Sequence, residues 1–76
     1  MRVSYKKLWV MLAEREMSKA ELRKLAGIAP ATFTKLGRNQ EVALSVLLRI
    51  AEVMDCDAGD IMSFVKENDQ NSNTNS

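Results

Sequence analysis

Residues 17–39 read MSKAELRKLAGIAPATFTKLGRN. Ser18-Lys19-Ala20-Glu21 has the form of a capping box. The serine oxygen accepts from the Glu21 backbone N–H, and the glutamate reaches back to the serine N–H. A helix over 19–26 is predicted, burying Leu22, Leu25 and Ala26. Gly27 ends it, because glycine adopts a left-handed cap without steric penalty. Ile28 plugs the turn. Pro30 suits the first turn of a new helix, where φ is already fixed and no N–H donor is needed. That helix is expected over 30–36, with Phe33 and Leu36 three apart and facing inward. Ala31, Thr34, Lys35 and Arg38 fall on the wet face. Ala29 precedes it as a poor N-cap, a loss of about 1 kcal/mol.

Two short helices joined by a tight glycine turn, the second with a polar outward face, describe a helix-turn-helix. The first can lie across a phosphate backbone while the second enters the major groove of DNA. A groove about 12 Å wide admits one helix, and only its far face reaches base edges.

The remaining chain is small. Its 76 residues bound it to one domain with a limited core. Histidine is absent, which removes the commonest general base and most transition-metal ligand sets. Cys56 is the single cysteine, so no internal disulfide and no cysteine zinc site can form; it reads as a small core residue of a reduced protein. No catalytic residue, metal ligand, cofactor or small-molecule substrate is indicated, and an enzyme is not expected. Asp55, Asp57 and Asp60 cluster, but helix capping explains them more simply than metal binding. The apolar stretch 8–13 is too short for a signal peptide or a membrane span, so a soluble, cytoplasmic protein is expected.

A net charge of +1 conceals a split. Residues 1–40 carry nine basic against three acidic side chains, and residues 41–76 carry two against seven. Such asymmetry fits a basic face for a polyanion with an acidic half turned away, and fits equally two ordinary solvated surfaces.

Around the central motif, residues 5–15 read as a first helix with Tyr5, Leu8, Leu12 and Arg15 on one face, Ser4 as N-cap and Trp9 as a core anchor. Leu44, Leu47, Leu48, Ala51 and Met54 space a fourth helix over 44–54, expected to floor the core. Asp57 to Asp60 reads as a second N-cap, leading a short fifth helix with Ile61, Met62 and Phe64. The expectation is an all-α, compact five-helix bundle over residues 1–65 and a disordered polar tail over 66–76.

The stretch ELRKLAGIAPATFTKL, followed by a loop and VALSVLLRIAEVMDCDAGDIM, resembles the lambda-repressor-like (Xre/Cro type) helix-turn-helix regulators over roughly residues 4–65. The resemblance implies a sequence-specific DNA-binding transcriptional regulator, a repressor, working as a homodimer on a palindromic double-stranded site. Geometry and resemblance together nominate Pro30, Ala31, Thr32, Thr34 and Lys35 as base readers. Ser18, Lys19, Arg23, Arg38 and Asn39 are nominated for phosphates. The plainer readings are a solvated Lys35, a packing role for Thr32 and a surface ion pair for Arg23. The chain departs from the family at Lys19 and Pro30, where glutamine is frequent, and at Arg23, where a small alanine is usual. No operator sequence follows by analogy.

Ile61, Phe64 and Val65, with Val42 nearby, are the candidate dimer seam; closing a small core is the competing role. The alternative function is a protein-interaction module on the same fold, such as an antitoxin, with the acidic half as its partner surface.

Overall fold

The computed structural model describes residues 1–66. The polar tail expected from residue 66 onward lies, apart from Lys66, outside the described residues. The elements run β1 (Arg2–Ser4), α1 (Lys6–Glu14), α2 (Lys19–Ala26), α3 (Pro30–Gly37), α4 (Leu44–Met54), a single 3-10 turn (Ala58–Asp60) and β2 (Ser63–Val65). β1 and β2 pair antiparallel, with Val3 opposite Phe64.

Four α-helices therefore replace the expected five. The fifth stops after one turn, although its cap forms as expected. The Asp57 side chain accepts from the Ala58 N–H, and Asp60 accepts from the Asp57 N–H at 3.1 Å. Beyond Ile61 the chain extends, because the backbone of Arg2–Ser4 lies alongside and offers ladder bonds to Ser63–Val65. Phe64 and Val65 also favour a pleated strand over a helix. Ser4 belongs to β1 and is not the helix cap. Tyr5 holds that place without a side-chain cap bond, and Ser4 Oγ only accepts weakly from the Lys6 N–H at 3.4 Å.

The second, third and fourth helices have the expected bounds to within a residue. α2 starts at the Ser18–Glu21 capping box and ends at Gly27 with φ +64°. α3 starts at Pro30 after an uncapped Ala29. Ile28, 3% exposed, fills the space under the turn between them.

The core gathers Tyr5, Leu8 and Leu12 from α1 and its cap, Leu22 and Ala26 from α2, and Leu36 from α3. Val46, Leu47, Ile50 and Met54 of α4 complete it with Val3, Ile28 and Ile61. α2 packs directly on α4. Three apolar residues depart from expectation. Leu25 is 64% exposed, since α4 covers only the Leu22–Ala26 edge of α2. Leu44 and Leu48 are 69% and 57% exposed. The buried arc of α4 is centred on Ile50, not on the Leu44–Leu48 row.

Two arginines close backbone carbonyls that helix ends leave without partners. Arg15 Nη1 donates to the Met54 carbonyl oxygen at 2.8 Å, at the end of α4. Arg49 Nη1 donates to the Gly27 carbonyl oxygen at 3.1 Å, at the end of α2.

Candidate nucleic-acid interface

α3 is anchored from behind and open in front. Leu36 is fully buried, and Phe33 packs partly buried against the core. Pro30, Ala31, Thr34 and Lys35 are exposed, and Thr32 is half-buried. Four of the five candidate readers thus share an accessible surface, while Thr32 sits partly against the protein. Thr34 Oγ1 donates to the Pro30 carbonyl oxygen at 3.0 Å, one turn back. That bond orients the side chain and uses its proton. The hydroxyl oxygen keeps acceptor capacity, and its methyl remains free for apolar contact.

The flanks differ in what they can offer a phosphate. At the start of α2, Ser18 is engaged in its capping box: Oγ accepts from the Glu21 N–H at 3.1 Å and its own N–H donates to Glu21 Oε1 at 2.9 Å. Only its hydroxyl proton is left for an outside acceptor. Lys19 is exposed, with Nζ 4.5 Å from the centroid of the Trp9 ring. Trp9 in turn meets Phe33 edge-on, centroids 5.9 Å apart and planes at 67°. The Trp9 ring therefore links the start of α2 to α3, with one face under a cation. Its role is more than the core anchor expected of it, and only the folded arrangement reveals the lysine above it.

Arg23 is half-buried. Its Nη1 reaches the Ile28 carbonyl oxygen at 3.5 Å, across the turn. Arg23 and Arg49 hence converge on successive carbonyls of the turn that orients α3. Arg49 escaped the sequence reading, because nothing in the α4 pattern signals a partner 22 residues earlier. Arg38 is exposed past the end of α3, where its backbone N–H closes the helix. Asn39 is half-buried with φ +56°, and its Oδ1 accepts from the Tyr5 N–H at 3.0 Å. Its acceptor oxygen is thus committed inside the protein, and only its amide nitrogen could meet a phosphate.

The candidate seam residues separate. Ile61 has 0% exposure and belongs to the core. Val65 is half-buried in β2, and Phe64 is 64% exposed. Phe64 borders an open groove of about 420 Å³, with Met1, Arg2, Glu41, Val42 and Met62 among its walls. Among the described residues no group of histidine, cysteine or carboxylate side chains could hold a metal ion, and no helix is long and apolar enough to cross a membrane.

Comparison with known proteins agrees with this geometry. The chain is 37% identical over 62 residues to the uncharacterized HTH-type transcriptional regulator YozG of Bacillus subtilis (strain 168), covering 79% of this chain and 74% of that protein. The fold matches the crystal structure of the transcriptional regulator VanUg with a TM-score of 0.85 and 52% sequence identity, over 87% of this chain and 88% of the other. Residues 7–67 match the family profile of the Cro/C1-type HTH DNA-binding domain, so the helix-turn-helix of α2 and α3 is that family's and the chain belongs to it.

Proposed function

We propose that this protein is a sequence-specific transcriptional regulator that sets α3 in the major groove of double-stranded DNA and acts as a repressor. The observation that carries the reading is the accessible row Pro30, Ala31, Thr34 and Lys35 over a fully buried Leu36, with Lys19 exposed at the start of α2 and Arg38 exposed just past α3. Lys35 donates to guanine O6 or N7, and Ala31, Pro30 and the Thr34 methyl meet thymine methyls. Lys19 and Arg38 set register on the phosphates, joined by the hydroxyl of Ser18 and the amide nitrogen of Asn39.

The chain works as a homodimer on a two-fold site, with half-sites about one helical turn apart. One domain of this size has too few contacts to hold a half-site tightly, and pairing doubles the phosphate contacts. The favoured seam is the groove beside Phe64, while Val65, next in β2, lines a different groove. The walls of the Phe64 groove include both Arg2 and Glu41, so a two-fold axis can set one copy's cation against the other's carboxylate.

The test is selection from a randomised duplex library, then titration of the enriched site against salt. A palindrome should emerge. Lys35→Ala and Thr34→Ala should lose discrimination with the helical content unchanged, and the site placed over a promoter should lower its transcription when the protein is present. Binding that ignores sequence and follows salt alone would overturn the reading and return the fold to protein interaction. Sedimentation of the free chain that shows only monomer would move dimerisation onto the DNA.

A further inference from the structure

α4 leaves two large apolar side chains in water. Leu44 and Leu48 stand one helical turn apart, 69% and 57% exposed, and the core uses neither. They open a shallow groove of about 340 Å³, whose other walls include Ala51, Cys56 and Ala58. Its opposite end is lined by the exposed carboxylates Glu52, Asp55 and Asp57. Glu52 falls one further turn along the Leu44–Leu48 row, so the groove passes from apolar to acidic along one helix face.

The charge there is one-sided. No basic side chain lines the groove, and the nearby Arg15 and Arg49 each have a nitrogen bound to a backbone carbonyl, of Met54 and Gly27. Burial raises the pKa of the Cys56 thiol most and Asp60 adds to that; Arg15 opposes, and Asp55 and Asp57 raise it further. Three carboxylates and no basic side chain in the lining leave the rim negative.

That rim selects the occupant. A second copy paired groove to groove brings no cation to Glu52, Asp55 and Asp57, because no basic side chain lines the groove. Nucleic acid, itself an anion, is repelled by those carboxylates. The geometry points to a docking groove for an amphipathic segment of a different protein, which places two large apolar side chains against Leu44 and Leu48 and lysines or arginines against the acidic end. Anchors at helical spacing laid in a groove are a common recognition mode, and complementary rim charges sort partners. This inference rests on α4 and the residues that lead from it into the 3-10 turn, and it is independent of the DNA reading.

The experiment displays a library of amphipathic helical peptides, with an apolar face held constant and flanking positions varied among lysine, glutamine and glutamate, and selects against the full chain. Winners should carry lysine flanks. Their binding should weaken about tenfold or more with Leu44→Gln and Leu48→Gln together, and separately with Glu52→Lys, as expected for anchors and rim charges. These positions are exposed, so circular dichroism should be unchanged, and the duplex selected by the unaltered protein should still bind. Asp55 is avoided because its φ of +53° makes most replacements strained. Winners without a basic preference, no winners, or winners indifferent to the leucine changes would overturn the inference. So would self-association of the free chain that vanishes with Leu44→Gln and Leu48→Gln, since that makes a second copy the occupant.

Discussion

Tyr5 and Asn39 tie the start of α1 to the loop that follows α3. The Tyr5 N–H donates to Asn39 Oδ1 at 3.0 Å, and the Tyr5 hydroxyl donates to the Gln40 carbonyl oxygen at 2.8 Å. α1 has no side-chain cap of its own, so Asn39 satisfies one of its N-terminal donors from 34 residues away. The same two residues fix where the chain goes after α3.

Asn39 therefore acts through both backbone and side chain. Asn39→Ala should destabilise by about 1–2 kcal/mol, losing both the cap acceptor and asparagine's tolerance of the left-handed region. Asn39→Gly also loses the acceptor but enters the left-handed region without a Cβ penalty, so it should cost less. Urea denaturation of the two variants separates the contributions; equal losses would refute the division.

Tyr5 is the single tyrosine of the chain and is 1% exposed, so its ionisation can be followed alone by ultraviolet absorbance. Burial, and then the Glu41 carboxylate, raise its pKa above the ordinary value, with the Val42 backbone opposing. A pKa higher in the folded than in the unfolded state means that the neutral phenol favours folding. That stability is complete below about pH 10 and is lost as pH rises through the folded value. Tyr5→Phe should cost about 1 kcal/mol or more at neutral pH, leaving the Gln40 carbonyl short of a donor, and should flatten the alkaline decline.

At the turn, Gly27 has φ +64°, and an added Cβ would lie 3.9 Å from Arg49 Nη1. Space is available, so Gly27→Ala should cost about 1 kcal/mol through backbone strain. Arg23 faces the turn and Lys19 faces out. Lys19→Gln should therefore reduce the slope of DNA affinity against salt by about one, and Arg23→Met should leave the slope unchanged while weakening discrimination between sites. A reduced slope for Arg23→Met would make it a phosphate contact.

Trp9 is the single tryptophan and lies under Lys19. Phosphate binding that draws Lys19 off the ring should change the emission of Trp9. With Lys19→Gln the change should largely disappear. An unaltered response in that variant would show that the signal arises elsewhere.

Cys56 is half-buried and its thiol pKa is raised, by burial first and by Asp60 next. The thiolate is the reactive form, so a disulfide reagent should label the folded chain more slowly than an unstructured cysteine at neutral pH. Urea should remove the difference.

Local rules carry the helix-turn-helix. The Ser18–Glu21 box, Gly27 and Pro30 each act within a few residues of themselves, and α2 and α3 begin and end at those signals. Leu25 shows where such rules stop. A stripe of Leu22, Leu25 and Ala26 is wider than the surface α4 presents to it, and the sequence cannot say which edge the neighbour covers. In α4 the polar stripe of Ser45, Arg49 and Glu52 marks the outward side, but the apolar arc opposite is wide enough to take in Leu44 and Leu48, so its buried edge is not marked.

By itself, then, the sequence determined the two central helices, their turn and the polar front of α3, because caps, φ preferences and 3.6-residue spacing are encoded locally. Tertiary structure alone decided the β1–β2 pair, whose short strands join the two ends of the described chain. It also decided the Tyr5–Asn39 tie and the convergence of Arg23 and Arg49 on the turn. Each satisfies a backbone group through a partner whose position exists only after the core has closed, and no local pattern records that distance.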